Sequence, residues 1–435
     1  MTLRIAESPR RISRTVAALL LVLPLVGAGM AVPAFAQEGE QGKKETVQAQ
    51  VLTEKTFKLL TEANKAIEEN RLAEAAPILD RLLGDTKLTP FERATVLQTR
   101  GFLLTEQDNY KEAAKYFEQA VDLKILVPDQ QLALIYNLAQ IYAGTEQYKK
   151  SVEKFEIWFA QATNPQPPAY LAYANSLYNL ERFQEAIPKV EMAIKIANEP
   201  KREWYDFLAG LYFETKQIPK VAQILELLVS KYPGEGRYYR QLQGVYSELK
   251  RERDMLAITE LAYKGGHLEK SEEFVQLASL LLYFDNPYRA AVLLEKKLKE
   301  GKIEKNYTNY EMLANAWIAS RDVAKSIEPL IQAAELAKDG NGYIRLAQAY
   351  VEREDWSAVN TAIEKALERG GLKEIGQAYL LEGVALINLD RLGPARKAFV
   401  EAAKSKGQER VARQWVRHID KILEEQAARQ QAALQ

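Results

Sequence analysis

Few side chains in this 435-residue chain could do covalent chemistry. Cysteine is absent and histidine occurs twice, which excludes disulfides, thiolate metal sites and thiol nucleophiles. His267 follows Gly265 and Gly266 in a loop, and His418 stands 151 residues further on. Neither has a second ligand at metal-binding spacing, so both read as packing or surface residues. The chain has no GxxxxGK[ST] loop, no GxSxG elbow and no HExxH pair, so nucleotide, serine-hydrolase and zinc-protease chemistry lack support. Carboxylates such as Glu352, Glu354 and Asp355 sit at helical turns, where acids are solvated faces rather than a glycosidase pair. Lys plus Arg and Asp plus Glu are 59 each, and basic clusters such as Lys296, Lys297 and Lys299 have acids beside them. That balance gives no general pull on nucleic acid and no visible phosphate groove. The chain reads as non-enzymatic, with no cofactor and no metal.

What the sequence does offer is groups that bind without reacting. Asn64, Gln140, Asn175, Asn315 and Gln348 recur in one register, and neighbouring positions supply Tyr136, Tyr178, Phe213 and Tyr283. An amide carries donors and an acceptor and can pair with the backbone of an extended peptide whatever its side chains. Aromatic rings give contact area at low entropic cost.

The elements that must position these groups are repeats. From residue 51 onward, apolar residues recur three and four apart in paired amphipathic stretches with a short polar turn between them. The clearest repeat is 341–371, where Tyr343, Leu346, Ala347 and Tyr350 mark one helix face and Trp356, Val359, Ile363 and Ala366 the next. Ten starts align, at 56, 94, 132, 167, 202, 236, 272, 307, 340 and 376. The eighth position is small in most repeats (Ala63, Gly101, Ala139, Ala174, Ala209, Ser279, Ala314, Ala347, Gly383), and so is the twentieth. Small side chains let two helix axes approach closely. The repeat starting at 236 is the poorest, with Gln243 and Met255 at these positions. Pro188, Pro219 and Pro329 fall early in second helices, while Pro128, Pro168, Pro200 and Pro233 lie between repeats and read as helix stops. After the last repeat, Trp415, Ile419 and Ile422 form one apolar face, with Arg413, Arg417 and Lys421 opposite, as a terminal cap requires.

Residues 1–36 stand apart. Arg4, Arg10, Arg11 and Arg14 precede an apolar run from Val16 to Val32, and Ala34-Phe35-Ala36 follows. This is the pattern of a secretory signal peptide cleaved between Ala36 and Gln37. The competing reading, an uncleaved anchor, needs about 20 apolar residues, and the run falls short of that. Cleavage leaves 55 basic and 58 acidic residues and no stretch for membrane insertion. Residues 37–50 are polar and read as a disordered leader, 51–405 as the solenoid, and 406–435 as a C-terminal cap helix and tail.

The helix pairs, their period near 34 and the two small positions resemble the tetratricopeptide (TPR) repeat family. The resemblance implies an all-α, right-handed superhelical solenoid of about ten helix-turn-helix repeats plus a C-terminal cap helix. It also implies that first helices line a concave side through positions 2, 5, 9 and 12 of each repeat. Those positions make Tyr136, Gln140, Asn175, Tyr178, Asn315 and Gln348 the candidate partner-binding residues, centred on the first four repeats because Gly210 and Gly244 leave the middle bare. The alternative is that the amides are satisfied within the solenoid and the rings merely fill the groove. Only Arg240 is basic at the fifth position, so a clamp for a C-terminal carboxylate is not expected. The phrases FERATVLQTRGFLL (91–104), ELAYKGGHLEK (260–270), NPYRAAVLLEKKLKEGKIEK (286–305) and MLANAWIASRDVAKSI (312–327) resemble exported bacterial TPR proteins encoded beside TonB–ExbB–ExbD clusters. That resemblance implies a periplasmic interaction scaffold whose partner is a protein or extended peptide segment, with a TonB-system component as the partner class it points to. Two readings compete with it, an adaptor for envelope assembly or polysaccharide secretion and an enzyme with an unrecognised site.

Overall fold

A computed structural model describes residues 51–433; the expected signal peptide and leader lie outside the described residues. The described residues form 21 helices and no strand. They divide into two compact units, one ending at Tyr232 and the other beginning at Pro233. The first unit holds five helix pairs: α1 (Glu54–Glu68) with α2 (Leu72–Leu83), α3 (Pro90–Glu106) with α4 (Tyr110–Asp122), α5 (Pro128–Gly144) with α6 (Tyr148–Phe159), α7 (Pro167–Asn179) with α8 (Phe183–Ile196), and α9 (Arg202–Glu214) with α10 (Ile218–Lys231). The second holds five more: α11 (Gly236–Glu248) with α12 (Glu252–Lys264), α13 (Ser271–Tyr283) with α14 (Pro287–Lys299), α15 (Tyr307–Ala319) with α16 (Val323–Leu336), α17 (Asn341–Val351) with α18 (Trp356–Arg369), and α19 (Ile375–Asn388) with α20 (Leu392–Ala402). A single long helix, α21 (Glu409–Ala433), follows. Within each unit, helices pack on their neighbours in sequence, the quasi-linear order of a helix-turn-helix solenoid. No helix among the described residues is long and apolar enough to cross a membrane.

The ten repeats share one turn. Asn70, Asp108, Glu146, Glu181, Lys216, Lys250, Asp285, Arg321, Glu354 and Asp390 all have left-handed backbone, with φ between 55° and 63°. In each turn this residue's N–H bonds the carbonyl three back and the next N–H bonds the carbonyl five back, as in Lys216 to Phe213 (2.9 Å) and Gln217 to Tyr212 (2.8 Å). This is a Schellman motif, which satisfies carbonyls that a helix end leaves unpaired. The turn also corrects one register. Asp285 sits one residue earlier than a repeat start at 272 requires, so the seventh repeat begins at Ser271. Its eighth residue is then the fully buried Ala278, while Ser279 is exposed.

Packing inside a repeat is set by the eighth residue of the first helix and the twenty-fourth, on the second. Where the eighth is glycine, the twenty-fourth is phenylalanine. A Cβ added to Gly101 would lie 2.3 Å from the Phe117 ring, and one added to Gly383 would lie 2.6 Å from Phe399. The ring fills the space that the missing side chain leaves. The sixth repeat uses a polar version: Gln243 Nε2 donates to Thr259 Oγ1 at 2.9 Å, and Thr259 donates to the Met255 carbonyl. The poorest repeat by sequence is therefore held by a buried hydrogen bond in place of close helix approach.

Contacts between repeats explain the high tyrosine count. Tyr173 donates to Glu156 at 3.5 Å and Tyr212 donates to Glu191, each Glu belonging to the preceding repeat. Lys150 lies 4.9 Å from the Tyr142 ring centroid, Lys220 4.9 Å from that of Tyr212, and Lys325 4.5 Å from that of Trp317. A ring between a preceding carboxylate and a following ammonium packs, donates and attracts a cation at once.

Glu92 secures the start of the first unit. It is buried, closes the capping box with Thr89, and accepts from both the backbone N–H (3.0 Å) and hydroxyl (2.7 Å) of Thr53 at the start of α1. Burial pushes the Glu92 carboxyl up, but the bonds from Thr53, Thr89 and Thr56 outweigh it and hold the pKa at about 2. Two prolines depart from expectation. Pro128 and Pro168 occupy the first turns of α5 and α7, so they start helices rather than stop them. At the far end, Trp415 of α21 stacks on Phe399 (5.6 Å, 9° between planes) and Ile419 is fully buried, so α21 caps the tenth repeat.

Candidate binding faces on the first helices

In the first unit the candidate residues lie on two neighbouring first helices, Tyr136 and Gln140 on α5, Asn175 and Tyr178 on α7. Proline in the first turn fixes the start of each helix and so the direction of its side chains. Tyr136 is half-buried, with its ring 4.7 Å from Trp158 and 6.1 Å from Phe155. The rings continue through Phe159, 5.0 Å from Trp158, to Tyr170 at 4.8 Å and Tyr173 at 5.4 Å. Lys189 of α8 lies 5.0 Å from the Tyr173 ring centroid. Six rings from three helices therefore form one aromatic body with a cation at its edge. Burial raises the pKa of the Tyr136 hydroxyl, against a smaller downward pull from its hydrogen bond with Gln140, so it stays a neutral phenol at physiological pH.

The amides of this unit pair within their own helix. Gln140 meets the Tyr136 hydroxyl one turn away, and Asn175 Oδ1 accepts from Asn179 Nδ2 at 2.6 Å. Each amide has more donor and acceptor sites than these bonds use. Tyr178 has two roles. Its ring lies 5.2 Å from Phe183 and 5.7 Å from Phe207, so it joins α7 to α8 and α9 as well as lining the first-helix face. The sequence reading placed it in the groove alone. At Gly210 an added Cβ would meet nothing within 4 Å, so that part of the face is open.

The second unit holds Asn315 on α15 and Gln348 on α17. Both are exposed. Asn315 Oδ1 accepts from the Arg345 guanidinium, which also pairs with Glu311, and Glu311 accepts from the Tyr307 hydroxyl at 2.8 Å. Asn315 is thus tied across two repeats, whereas Gln140 and Asn175 are tied only along their own helices.

Trp158, Phe159 and Tyr170 were missed by counting concave positions, because they lie at the end of a second helix and the start of the next first helix. The signal was the run Ile157-Trp158-Phe159 with Tyr170 shortly after. His267 stacks on Tyr239 at 4.8 Å with Nε2 2.7 Å from the Pro233 carbonyl, and His418 lies edge-on to Trp415 at 5.8 Å. Among the described residues no three His, Asp or Glu side chains come together to hold a metal ion.

The family model for the tetratricopeptide repeat matches residues 94–124, which span most of α3 and all of α4. That segment is similar to a tetratricopeptide repeat. The other nine helix pairs carry the same left-handed turn at the same spacing, so the solenoid is TPR-like throughout. No curated protein matches the chain. Similar solved structures include a tetratricopeptide repeat protein from Parabacteroides merdae (15% identity, 61% of this chain and 99% of that one, TM-score 0.35). Naa15/Naa10 bound to HypK-THB is similar over 82% of this chain and 64% of that one, at 13% identity and TM-score 0.40. YrrB, described as a TPR protein with an unusual peptide-binding site, covers 47% of this chain and 91% of its own at 17% identity and TM-score 0.33.

Proposed function

We propose that the chain is a non-enzymatic protein–protein interaction scaffold that grips an extended segment of a partner on the α5–α7 face. The observation that carries this reading is the juxtaposition there of unsaturated amides with a continuous aromatic body. Gln140 and Asn175 pair with the partner's backbone, and Tyr136 and Trp158 receive its apolar side chains. The scaffold works in the periplasm after cleavage following Ala36, and its partner is a component of a TonB-type uptake system. The basic start, apolar run and small-x-small site support export, and the sequence phrases shared with exported TPR proteins support the partner class.

Photo-cross-linking from position 140 in the periplasm captures the partner, and calorimetry with it measures the face. Gln140→Ala and Asn175→Ala each weaken binding by about 1–2 kcal/mol without lowering Tm. Asn315→Ala leaves affinity unchanged. Equal affinity for the wild type and the Gln140→Ala/Asn175→Ala double variant moves the site elsewhere. Capture of secretion or assembly proteins in place of TonB-system proteins assigns the scaffold to envelope assembly. N-terminal sequencing of periplasmic protein reads QEGEQ; full-length chain in the membrane fraction overturns the cleavage.

A further inference from the structure

Helix α21 follows the tenth repeat in the place of a first helix. Trp415 stacks on Phe399, the twenty-fourth residue of the tenth repeat, as Tyr173 stacks on Phe155 (5.4 Å), the twenty-fourth residue of the repeat before it. Tyr173 is the seventh residue of its repeat, so Trp415 holds a seventh position and Val416 an eighth. In the repeats of Gly101, Gln243 and Gly383 the eighth residue faces the second helix of the same repeat. Here α21 runs on as one helix to Ala433, with no left-handed turn at Leu423, its fifteenth residue, and no second helix among the described residues. Beside it is an open hollow of about 330 Å³ lined by Val400 of α20, by Ala403 just past its end, and by Arg413, Val416 and Arg417 of α21. Val400 is 38% exposed, although it stands on a helix whose other face is buried core.

Charge indicates what fits there. From Arg391 to Lys421 the chain carries nine Lys or Arg and three Asp or Glu, although the whole chain is neutral. All three acids are engaged at this end: Glu401 pairs with Lys404 at 2.6 Å, Glu409 pairs with Arg413 at 2.7 Å, and Asp420 pairs with Arg396. An apolar floor with arginines along one wall suits an apolar stripe flanked by carboxylates. The geometry points to the α20–α21 groove as the seat of an acidic amphipathic helix from a partner protein, laid down as the second helix that α21 lacks. This surface is separate from the α5–α7 face and does not depend on that reading.

The test uses the full chain and a fluorescein-labelled peptide, 14 residues long like α18, with Leu and Ala on one helical stripe and Glu elsewhere. A twin peptide carries Lys for every Glu. The acidic peptide binds saturably and the basic one does not. Arg413→Glu/Arg417→Glu weakens binding about tenfold or more, and so does Val400→Glu, an exposed position whose change leaves the fold intact. Gln140→Ala/Asn175→Ala changes nothing, which separates this surface from the other. Absence of saturable binding to the wild-type chain overturns the proposal, and so does binding that ignores the arginine changes. Arginine-dependent binding to phosphatidylglycerol vesicles with none to the acidic peptide also overturns it, and assigns the basic end to a membrane surface.

Discussion

The two units carry the same turn, the same close helix crossings and asparagine at the ninth position of a first helix, yet they use that asparagine differently. In the first unit Asn175 pairs with Asn179 one turn along α7 and keeps further capacity. In the second, Asn315 is bound by Arg345 from the next repeat, and the same arginine is held by Glu311. One amide lines a face backed by aromatic rings; the other is part of the joint between repeats. An amide in the right register is therefore insufficient to mark a binding face. What distinguishes the two is whether a charged side chain from the neighbouring repeat reaches it, and that depends on a residue 30 positions away.

The largest effects should come from the glycine–phenylalanine crossings, which occur once in each unit. Phe117→Ala and Phe399→Ala each open a cavity beside a glycine and cost about 3–5 kcal/mol. Phe399→Ala also removes the stack on Trp415, so it frays α21 as well, while Phe117→Ala leaves α21 protected. Hydrogen exchange resolved by repeat reads this, since two units need not unfold as one transition. Gly101→Ala with Phe117→Leu installs the alanine–leucine pairing of four other repeats and recovers most of the loss. Equal exchange in α21 for both alanine variants removes the cap from the account.

Next come two carboxylates, one in each unit, that respond oppositely to pH. Glu92 has a folded pKa of about 2, below its ordinary value of 4.5. Its contribution is full above the ordinary value and is lost as pH falls toward 2. Glu92→Gln is expected to cost about 2–3 kcal/mol at pH 7 and little near pH 2. Glu382 in the second unit is raised, first by burial and then by Glu364. Such a group favours folding below its ordinary pKa and loses that contribution as pH rises through its folded value. Glu382→Gln therefore stabilises the second unit at pH 7, within about 1 kcal/mol, with no gain near pH 4. Melting followed in each unit from pH 3 to 8 checks both signs; parallel pH profiles for the two variants contradict them.

The periodicity made the helix pairs and their spacing legible, because every first helix shows its buried face as small and apolar residues three and four apart. It misplaced the seventh repeat by one residue, since Ser279 and Ala278 are both small and only the turn at Asp285 tells them apart. It could not show that Gln243 finds Thr259, because a hydrogen bond across a crossing leaves no periodic trace. For the candidate face, position along a helix was readable and company was not. Tyr136 and Gln140 were found, but Trp158 and Phe159, which back them, arrive from the end of another helix.

The smallest effect tests whether the units share more than a pattern. Ten non-glycine residues hold left-handed backbone at the turns, five in each unit. For an L-residue that conformation costs about 1–2 kcal/mol. Glycine removes the steric cost but adds freedom to the unfolded chain, which takes back about 0.5–1 kcal/mol. The net gain for Lys216→Gly or Arg321→Gly is then about 0.5–1 kcal/mol. Neither side chain has a structural bond to lose in the way Asn175 or Arg345 does, and both are exposed. Lys216 has φ 57° and Arg321 φ 63°, with the same pair of backbone bonds closing each turn. Because the geometry is the same, the two substitutions should raise Tm by similar amounts in their own units. A gain in one unit with a loss in the other would mean that the turns are held by different neighbours, and that the likeness of the two units stops at the backbone.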